Sequence, residues 1–361
     1  AVRQPCVWQQ LRGIRRLNLH ALDVDLPLGV MTTVTGVSGS GKSTLVSQVL
    51  AELVADALGH VSADEEEPDP DPPPGPVPAP GPIAARLERI RRFLRVDQKP
   101  IGRTPRSNLA TYTGLFDDVR GLFAATKEAR AHKYDAGRFS FNVGKGRCDT
   151  CEGEGYVMVE LLFLPSVYSP CPACHGARYN PDTLRIRYRG KSIADVLALT
   201  VDAAADFFAN DETVLRSLTV LRSVGLGYLR LGQPATELSG GEAQRIKLAT
   251  ELQRRSRGST LYVLDEPTTG LHPADVDRLM MQLQGLVDAG HSVILVEHDM
   301  RVVAACDWII DMGPGAGEQG GRIVATGPPA DVANDAHSVT APFLRAELDE
   351  HLSATPRERR A

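Results

Sequence analysis

The chain has 361 residues, of which 42% are apolar, 24% charged and 5% aromatic, and its net charge is −5 at neutral pH. That length can bury a sizeable core in one large domain with insertions or in two domains, and the slight acidity excludes a uniformly basic nucleic-acid binder, so any such surface must be local. No run approaches the roughly 18 apolar residues of a membrane helix and no signal-peptide core is visible, so no membrane partner is expected.

In chain order, Leu19 to Val37 alternates apolar and polar residues and predicts strands leading into the glycine-rich loop GVSGSGKST. Thr44 to Leu58 predicts a helix. Ser62 to Pro82 is acidic and then proline-dominated, which suits a disordered or extended surface insert. Ile83 to Arg147 carries fifteen Lys and Arg against six Asp and Glu, a basic excess that marks an anion-binding face. Leu184 to Leu231 reads as mainly helical. Strand-like runs at Thr260 to Leu264 and Ser292 to Val296 flank a helix near Ala274 to Ala289, an alternation that implies a parallel sheet covered by helices.

The chemistry begins at Gly36. The spacing Gly36-x-x-x-x-Gly41-Lys42-Ser43, between a β-run and a helix, is that of a phosphate loop. Backbone N–H groups from Gly36, Ser38, Gly39, Ser40, Gly41 and Thr44 can turn toward phosphate at the helix N-terminus. Lys42 reaches the β and γ oxygens, and Ser43 offers a Mg²⁺ ligand. LYVLDE, ending in Asp265 and Glu266, fits a buried strand whose tip meets the nucleotide, with Asp265 in the Mg²⁺ shell and Glu266 orienting or deprotonating the attacking water. His298 ends the next strand, placed to contact the γ-phosphate, and Gln98 lies where a residue sensing Mg²⁺ and that water can sit.

In LSGGEAQRIKLATEL, Ser239, Gly240 and Gly241 precede a helical run and make a second anion site. One subunit's phosphate loop already holds its own ATP, so this site is useful only over ATP held by a second nucleotide-binding half or a homodimer partner. With Gln98, LDEPTTGLH and His298 in order, the chain resembles the ABC-type ATPase superfamily, whose transporter members are one alternative. Gln98 and Leu238 are farther apart than such transporters require, and the excess contains Cys148, Cys151, Cys171 and Cys174. These form two CxxC knuckles with nineteen residues between them. Four thiolates at this spacing suit tetrahedral Zn²⁺, against an iron–sulfur cluster, a redox pair or free thiols. Six cysteines in all read as reduced thiols of a cytoplasmic protein rather than a disulfide framework. Cys6 and Cys306 are expected to be buried, Tyr156 to Phe163 to form one arm of a hairpin, and His175 to be a neighbour of the metal rather than a ligand.

Taken with DQKPIGRTPRSNLATYTG (Asp97 to Gly114), the segment Gly137 to Asn180 and LDEPTTGLHPADV, the chain resembles the UvrA family of bacterial nucleotide excision repair, specifically its C-terminal nucleotide-binding half. The resemblance implies an ABC-type P-loop α/β fold with a mostly parallel sheet, a helical signature subdomain and an inserted zinc hairpin. It implies ATP, Mg²⁺ and Zn²⁺, dimerisation, and binding to damaged double-stranded DNA that is passed to a lesion-verifying partner of the UvrB type, with no nuclease activity in this chain. Arg103 and Arg106 match DNA-backbone positions, and Lys133, Arg138, Lys145 and Arg147 extend that track. A UvrA-like paralogue that removes DNA-bound drugs is a second implication. The expected organisation is an ATP-binding core over 1–60 and 259–345, the proline insert at 61–82, a Q-loop and DNA-facing region at 83–135, the zinc module at 136–182, the signature subdomain at 183–258 and a flexible tail at 346–361. A chain opening on Ala1 and carrying one nucleotide-binding half is compatible with a fragment, a split subunit or a shortened paralogue.

Overall fold

Strand patterning takes two forms in this chain, and each predicts its place. Strands β1 (Val7–Arg16) and β2 (Leu19–Leu28) alternate buried and exposed residues along much of their length and pair with each other antiparallel, one face on the core. β3 (Met31–Gly36) is buried along nearly its whole length, the pattern of a strand covered on both faces. The computed structural model describes residues 2–58, 90–161, 164–254 and 258–353; the proline-rich insert expected at 61–82 lies outside them. By contacts the chain forms two compact units, Ala1–Asp97 with Ser256–Ala361, and Gln98–Arg255.

In the first unit, β4 (Ile90–Val96) pairs parallel with a later strand. In the second unit, β5 (Tyr156–Leu161) and β6 (Leu164–Pro170) make an antiparallel hairpin, in which β5 falls within the arm read from the sequence. Returning to the first unit, β7 (Ser259–Asp265), β8 (Ser292–Val296), β9 (Trp308–Gly313) and β10 (Arg322–Gly327) complete a six-stranded sheet of order β10-β9-β3-β8-β7-β4. Every pair is parallel except β9–β10, so the mostly parallel sheet inferred from the sequence is present. Phosphate-loop, acid-pair and histidine strands, β3, β7 and β8, are neighbours, which brings their C-terminal tips to one edge. Leu26, Val34, Leu45, Val46, Leu261, Ile294 and Ile310 fill the core between this sheet, β2 and the helix that follows the loop.

Two expectations need correction here. The basic stretch Ile83 to Arg147 is not one region: β4 belongs to the core sheet and the unit boundary falls after Asp97. Its sequence IRRFLRV suits an edge strand, where charge blunts pairing with other chains, so Arg91, Arg92 and Arg95 are sheet residues. The tail expected from 346 is helical as far as Ser353, within the helix Ala341–Ser353. That helix is anchored because Leu344 is buried among Val303, Ile309 and Val332.

In the second unit, short helices Pro181–Arg185, Ile193–Ala198, Val201–Phe207 and Glu212–Ser223 account for the helical stretch, three of them opened by an Asn, Ser or Thr whose side chain accepts a backbone N–H. No helix among the described residues is long and apolar enough to cross a membrane.

Candidate nucleotide site and cysteine centre

The loop Gly36–Lys42 needs its glycines. Gly36 has φ +128°, and a Cβ there would stand 2.0 Å from the Met312 carbonyl oxygen on β9. Gly39 and Gly41 also have positive φ. Leu45 N–H donates to Gly41 O at 2.9 Å, so the helix Thr44–Leu50, π-wound and continued by Ala51–Ala57, starts at the end of the loop. Ser38 and Ser43 are exposed, whereas Ser40 is buried with its hydroxyl unpartnered. Lys42 Nζ donates to Gly36 O (3.0 Å) and Val37 O (2.9 Å). Partial burial pushes its ammonium down, opposed by Glu266, Asp265 and Asp311.

At the tip of β7, burial pushes the Asp265 carboxyl up, and Ser47 Oγ donates to its Oδ2 at 3.2 Å. Glu266 adopts φ +45°, a left-handed conformation that costs a non-glycine residue energy and is found where structure imposes it. Its N–H donates to Val296 O (2.9 Å), which holds the turn against β8. The carboxylate then faces His298: Glu266 Oε1 and His298 Nδ1 are 3.6 Å apart, and both side chains are well exposed. Lys42, Asp265, Glu266 and His298 are therefore carried by one sheet edge, with two acids, a cation and an imidazole at the mouth of the loop.

Two buried acids escaped the sequence reading. Glu297, 1% exposed, accepts from Thr268 N (3.0 Å), Thr268 Oγ1 (2.6 Å) and His298 N (3.1 Å). It fixes the turn after Glu266 and the backbone of His298 together. Asp311, 2% exposed on β9, accepts from Ser338 Oγ (2.6 Å) and Thr340 Oγ1 (2.8 Å), tying the C-terminal helix to the sheet beside the loop. Burial pushes both carboxyls up, against those hydrogen bonds. The signal available was an acid directly after a fully apolar strand, in VILVEHD, and one inside the apolar run of WIIDMG.

In the second unit, Ser239 caps the helix Gly240–Gln253. Its Oγ accepts from Glu242 N, and Glu242 Oε2 accepts from Ser239 N at 2.8 Å, a capping box spelled S-G-G-E. Tyr228 Oη donates to Glu242 Oε1 at 2.6 Å. Gly240 and Gly241 open this fourteen-residue helix, so unpaired N–H groups and the helix dipole point outward. Gln98 lies against Gly240, where a Cβ would meet Gln98 Cβ, O and Oε1 at 3.1–3.2 Å.

Cys148, Cys151, Cys171 and Cys174 converge, all four Sγ lying within 4.8 Å of one another, with the first three buried. Tetrahedral Zn–S bonds of about 2.3 Å put sulfurs about 3.8 Å apart, and Cys151 and Cys174 are at 3.6 Å. Gly155 N–H points at Cys151 Sγ (3.3 Å), as metal knuckles require. Burial raises Cys174 to about 12, reinforced by its thiol neighbours. At Cys171 burial is outweighed by N–H groups of Cys174 and Ala173, and the thiol falls to about 7. The residues thus fit a divalent thiophilic ion. His175 is exposed and outside the cluster. Cys306 is buried as expected, but Cys6 is exposed, because it precedes β1 in the N-terminal segment.

Of the residues assigned to DNA, Arg103, Lys133 and Lys145 are exposed. Arg106 is half-buried, donates to Glu152 O (3.3 Å) and pairs with Glu154 (3.5 Å). Two others are structural. Arg138 donates to Thr183 Oγ1 (2.9 Å) over the Tyr134 ring, and Arg147 pairs with Glu152 (3.0 Å).

No family model matches the chain. Over 350 residues it is 51% identical to UvrABC system protein A of Mycobacterium leprae, covering 96% of this chain and 35% of that protein. It is 52% identical to UvrABC system protein A of Streptomyces avermitilis over 355 residues, 96% of this chain and 33% of the other. The crystal structure of UvrA2 from Deinococcus radiodurans superposes with a TM-score of 0.85 at 64% identity, covering 96% of this chain and 40% of that one. The chain spans about a third of the length of the curated relatives it matches.

Proposed function

We propose that this chain, which belongs to the UvrA family over nearly its whole length and matches about a third of its relatives' length, is an ATP-hydrolysing, DNA-binding unit of nucleotide excision repair. The observation that carries the reading is the four-cysteine cluster inside the unit that bears the signature helix, in a chain whose other unit places Lys42, Asp265, Glu266 and His298 on one sheet edge. A phosphate loop alone would leave the substrate class open.

Lys42 and the N–H groups of the Gly36–Thr44 loop bind the β and γ phosphates. Ser43 and Asp265 would hold Mg²⁺, whose charge would offset that of the phosphates. Glu266 orients and deprotonates water in line with the γ-phosphate, and His298, held through Glu297, contacts that phosphate. Gln98 is assigned to sensing Mg²⁺ and the attacking water. Ser239, Gly240 and Gly241 face ATP on a second nucleotide-binding half or partner copy. The four cysteines would hold Zn²⁺, which would supply a structural crosslink between the two knuckles. Arg103, Arg106, Lys133 and Lys145 take the DNA backbone through sequence-independent contacts, and damage is sensed as altered duplex deformability. Distorted duplex is then handed to a lesion-verifying partner of the UvrB type; this chain does not cut DNA.

Titrating the chain on intact and lesion-bearing duplexes, with and without ATP, tests the reading. Tighter, ATP-modulated binding to the lesion duplex is expected, and equal affinity for both would overturn damage recognition. The 64% identity to UvrA2, beside 51–52% to the curated UvrA relatives, favours a second reading in which the chain is a UvrA-like paralogue, and clearance of DNA-bound drugs is the function we propose for such a paralogue. On that reading, ATP-dependent loss of a bound intercalator from duplex would exceed any preference for covalent lesions.

A further inference from the structure

Arg178 is a buried cation that the proposed function does not use. It is 4% exposed, and no carboxylate among the described residues lies within ion-pair distance of it. Its donors go to backbone carbonyls instead: Nη2 to Pro105 O (3.0 Å) and Gly232 O (3.3 Å), and Nη1 to Gly153 O (3.5 Å). The guanidinium lies 5.0 Å above the Phe141 ring. Carbonyl dipoles and a π-face offset part of the desolvation, but burying a whole charge is costly unless an opposite charge is nearby.

The opposite charge is supplied by the cysteine centre. Four thiolates around one divalent ion carry a net charge of −2 in a mostly buried setting. Arg178 is built into that centre on both sides. It follows Cys174 by four residues, its carbonyl accepts from Cys148 N at 2.9 Å, and its Nη1 reaches Gly153 in the turn after Cys151. Burial pushes its guanidinium down, opposed by Tyr179 and Tyr156 and, after them, by Cys151 and Cys174. A Cβ at Gly155 would meet Arg178 Cγ at 3.0 Å, so the knuckle is shaped around this side chain.

We propose that Arg178 is the buried counter-cation of the tetrathiolate metal centre, and that its fork ties the centre to two functional segments. Pro105 lies between Arg103 and Arg106, and Gly232 begins the lead-in to the signature Ser239. Each charge offsets part of the other's cost in the interior, the guanidinium cancelling half of the centre's charge. Without the metal the centre's compensation of the buried guanidinium is lost. The links to Pro105 and Gly232 then loosen together. Arg178 is thus a positioning residue, acting on DNA and nucleotide segments through the metal.

This rests on Zn²⁺ occupying the four thiols, and the test separates the two ideas. Zinc release to a chromophoric chelator is measured on the full chain as wild type, Arg178→Gln and Arg178→Lys. The glutamine variant keeps a donor but loses the charge, and zinc affinity should fall about 10- to 100-fold, the usual cost of removing a partner behind a metal ligand. The lysine variant keeps a point charge and should hold zinc within about threefold of wild type. Wild type that retains no zinc sinks the metal reading itself. Zinc held as tightly by Arg178→Gln as by wild type sinks only the counter-cation assignment. If Arg178→Gln does not fold, Arg178→Lys decides alone: rapid zinc loss from it overturns the charge argument, and retention supports it. Stripping zinc from wild type should also speed amide exchange at Arg106 and Ser107 and across 232–238 apart from Pro234, and unchanged exchange there would overturn the tie.

Discussion

Replacing Gly36 by alanine tests the fold and the nucleotide site with one methyl group. The new Cβ would stand 2.0 Å from Met312 O, 2.9 Å from Met312 C and 3.0 Å from Met312 N. These are backbone atoms of β9, paired in register with Gly36 itself, so no side chain can swing aside. The φ of +128° adds about 1–3 kcal/mol for a residue with a Cβ. Forcing the β3–β9 ladder apart adds about 1–3 kcal/mol by the measure of overpacked cores. The sum, about 2–6 kcal/mol, is a large share of the roughly 5–15 kcal/mol of a typical domain. At roughly 2–4 °C per kcal/mol, the melting temperature should fall by about 4–24 °C. Gly285→Ala is the internal control. Gly285 lies in the helix Pro273–Asp288 with nothing within 4 Å of a new Cβ and no positive φ, so that variant should gain about 0.5–1 kcal/mol. Scanning calorimetry on both variants, with binding of a fluorescent ATP analogue, measures the difference. A Gly36→Ala chain that melts within about 2 °C of wild type and binds the analogue normally would refute the steric argument.

Glu266→Gln should lower ATP turnover by about 10²- to 10⁴-fold while leaving ATP binding close to wild type; phosphate release at the wild-type rate would remove Glu266 from the chemistry. Arg103→Ala with Arg106→Ala should weaken duplex binding and reduce the slope of log affinity against log salt by up to about 2, and an unchanged slope would place both outside the interface. Burial raises the Asp311 carboxyl above its unfolded value, so between those two values the folded state binds more protons. Stability from this group is therefore gained as pH falls through that window and lost as pH rises through the folded value. Compared with Asp311→Asn, wild type should become relatively more stable from pH 7 toward pH 4 in denaturant titrations, and the opposite trend would show that the Ser338 and Thr340 bonds outweigh burial.

The chain's local chemistry was legible without coordinates. GVSGSGKST, LSGGE, LDEPTTGLH and the two CxxC pairs are contiguous motifs, so each is legible in a short run of sequence. The apolar runs of β7 and β8 were also legible, since a strand buried on both faces favours apolar residues, whereas β3 is buried despite three threonines in a stretch that reads as alternating. What only the tertiary structure decided depends on partners far apart in the chain. β4 reads as basic loop until it pairs with β7, more than 160 residues later, because an edge strand tolerates charge. Arg106, Arg138 and Arg147 are all basic in a basic stretch, yet two of them brace the cysteine-bearing unit and Arg106 is partly engaged by Glu154. Glu297 and Asp311 are single acids in apolar runs, and their meaning came from Thr268, Ser338 and Thr340 closing over them. In the sequence Arg178 is simply an arginine four residues past Cys174. Its burial against Pro105, Gly153 and Gly232 makes it a candidate centre of the unit, since a charge can be hidden only where folding gathers enough carbonyls and opposite charge around it.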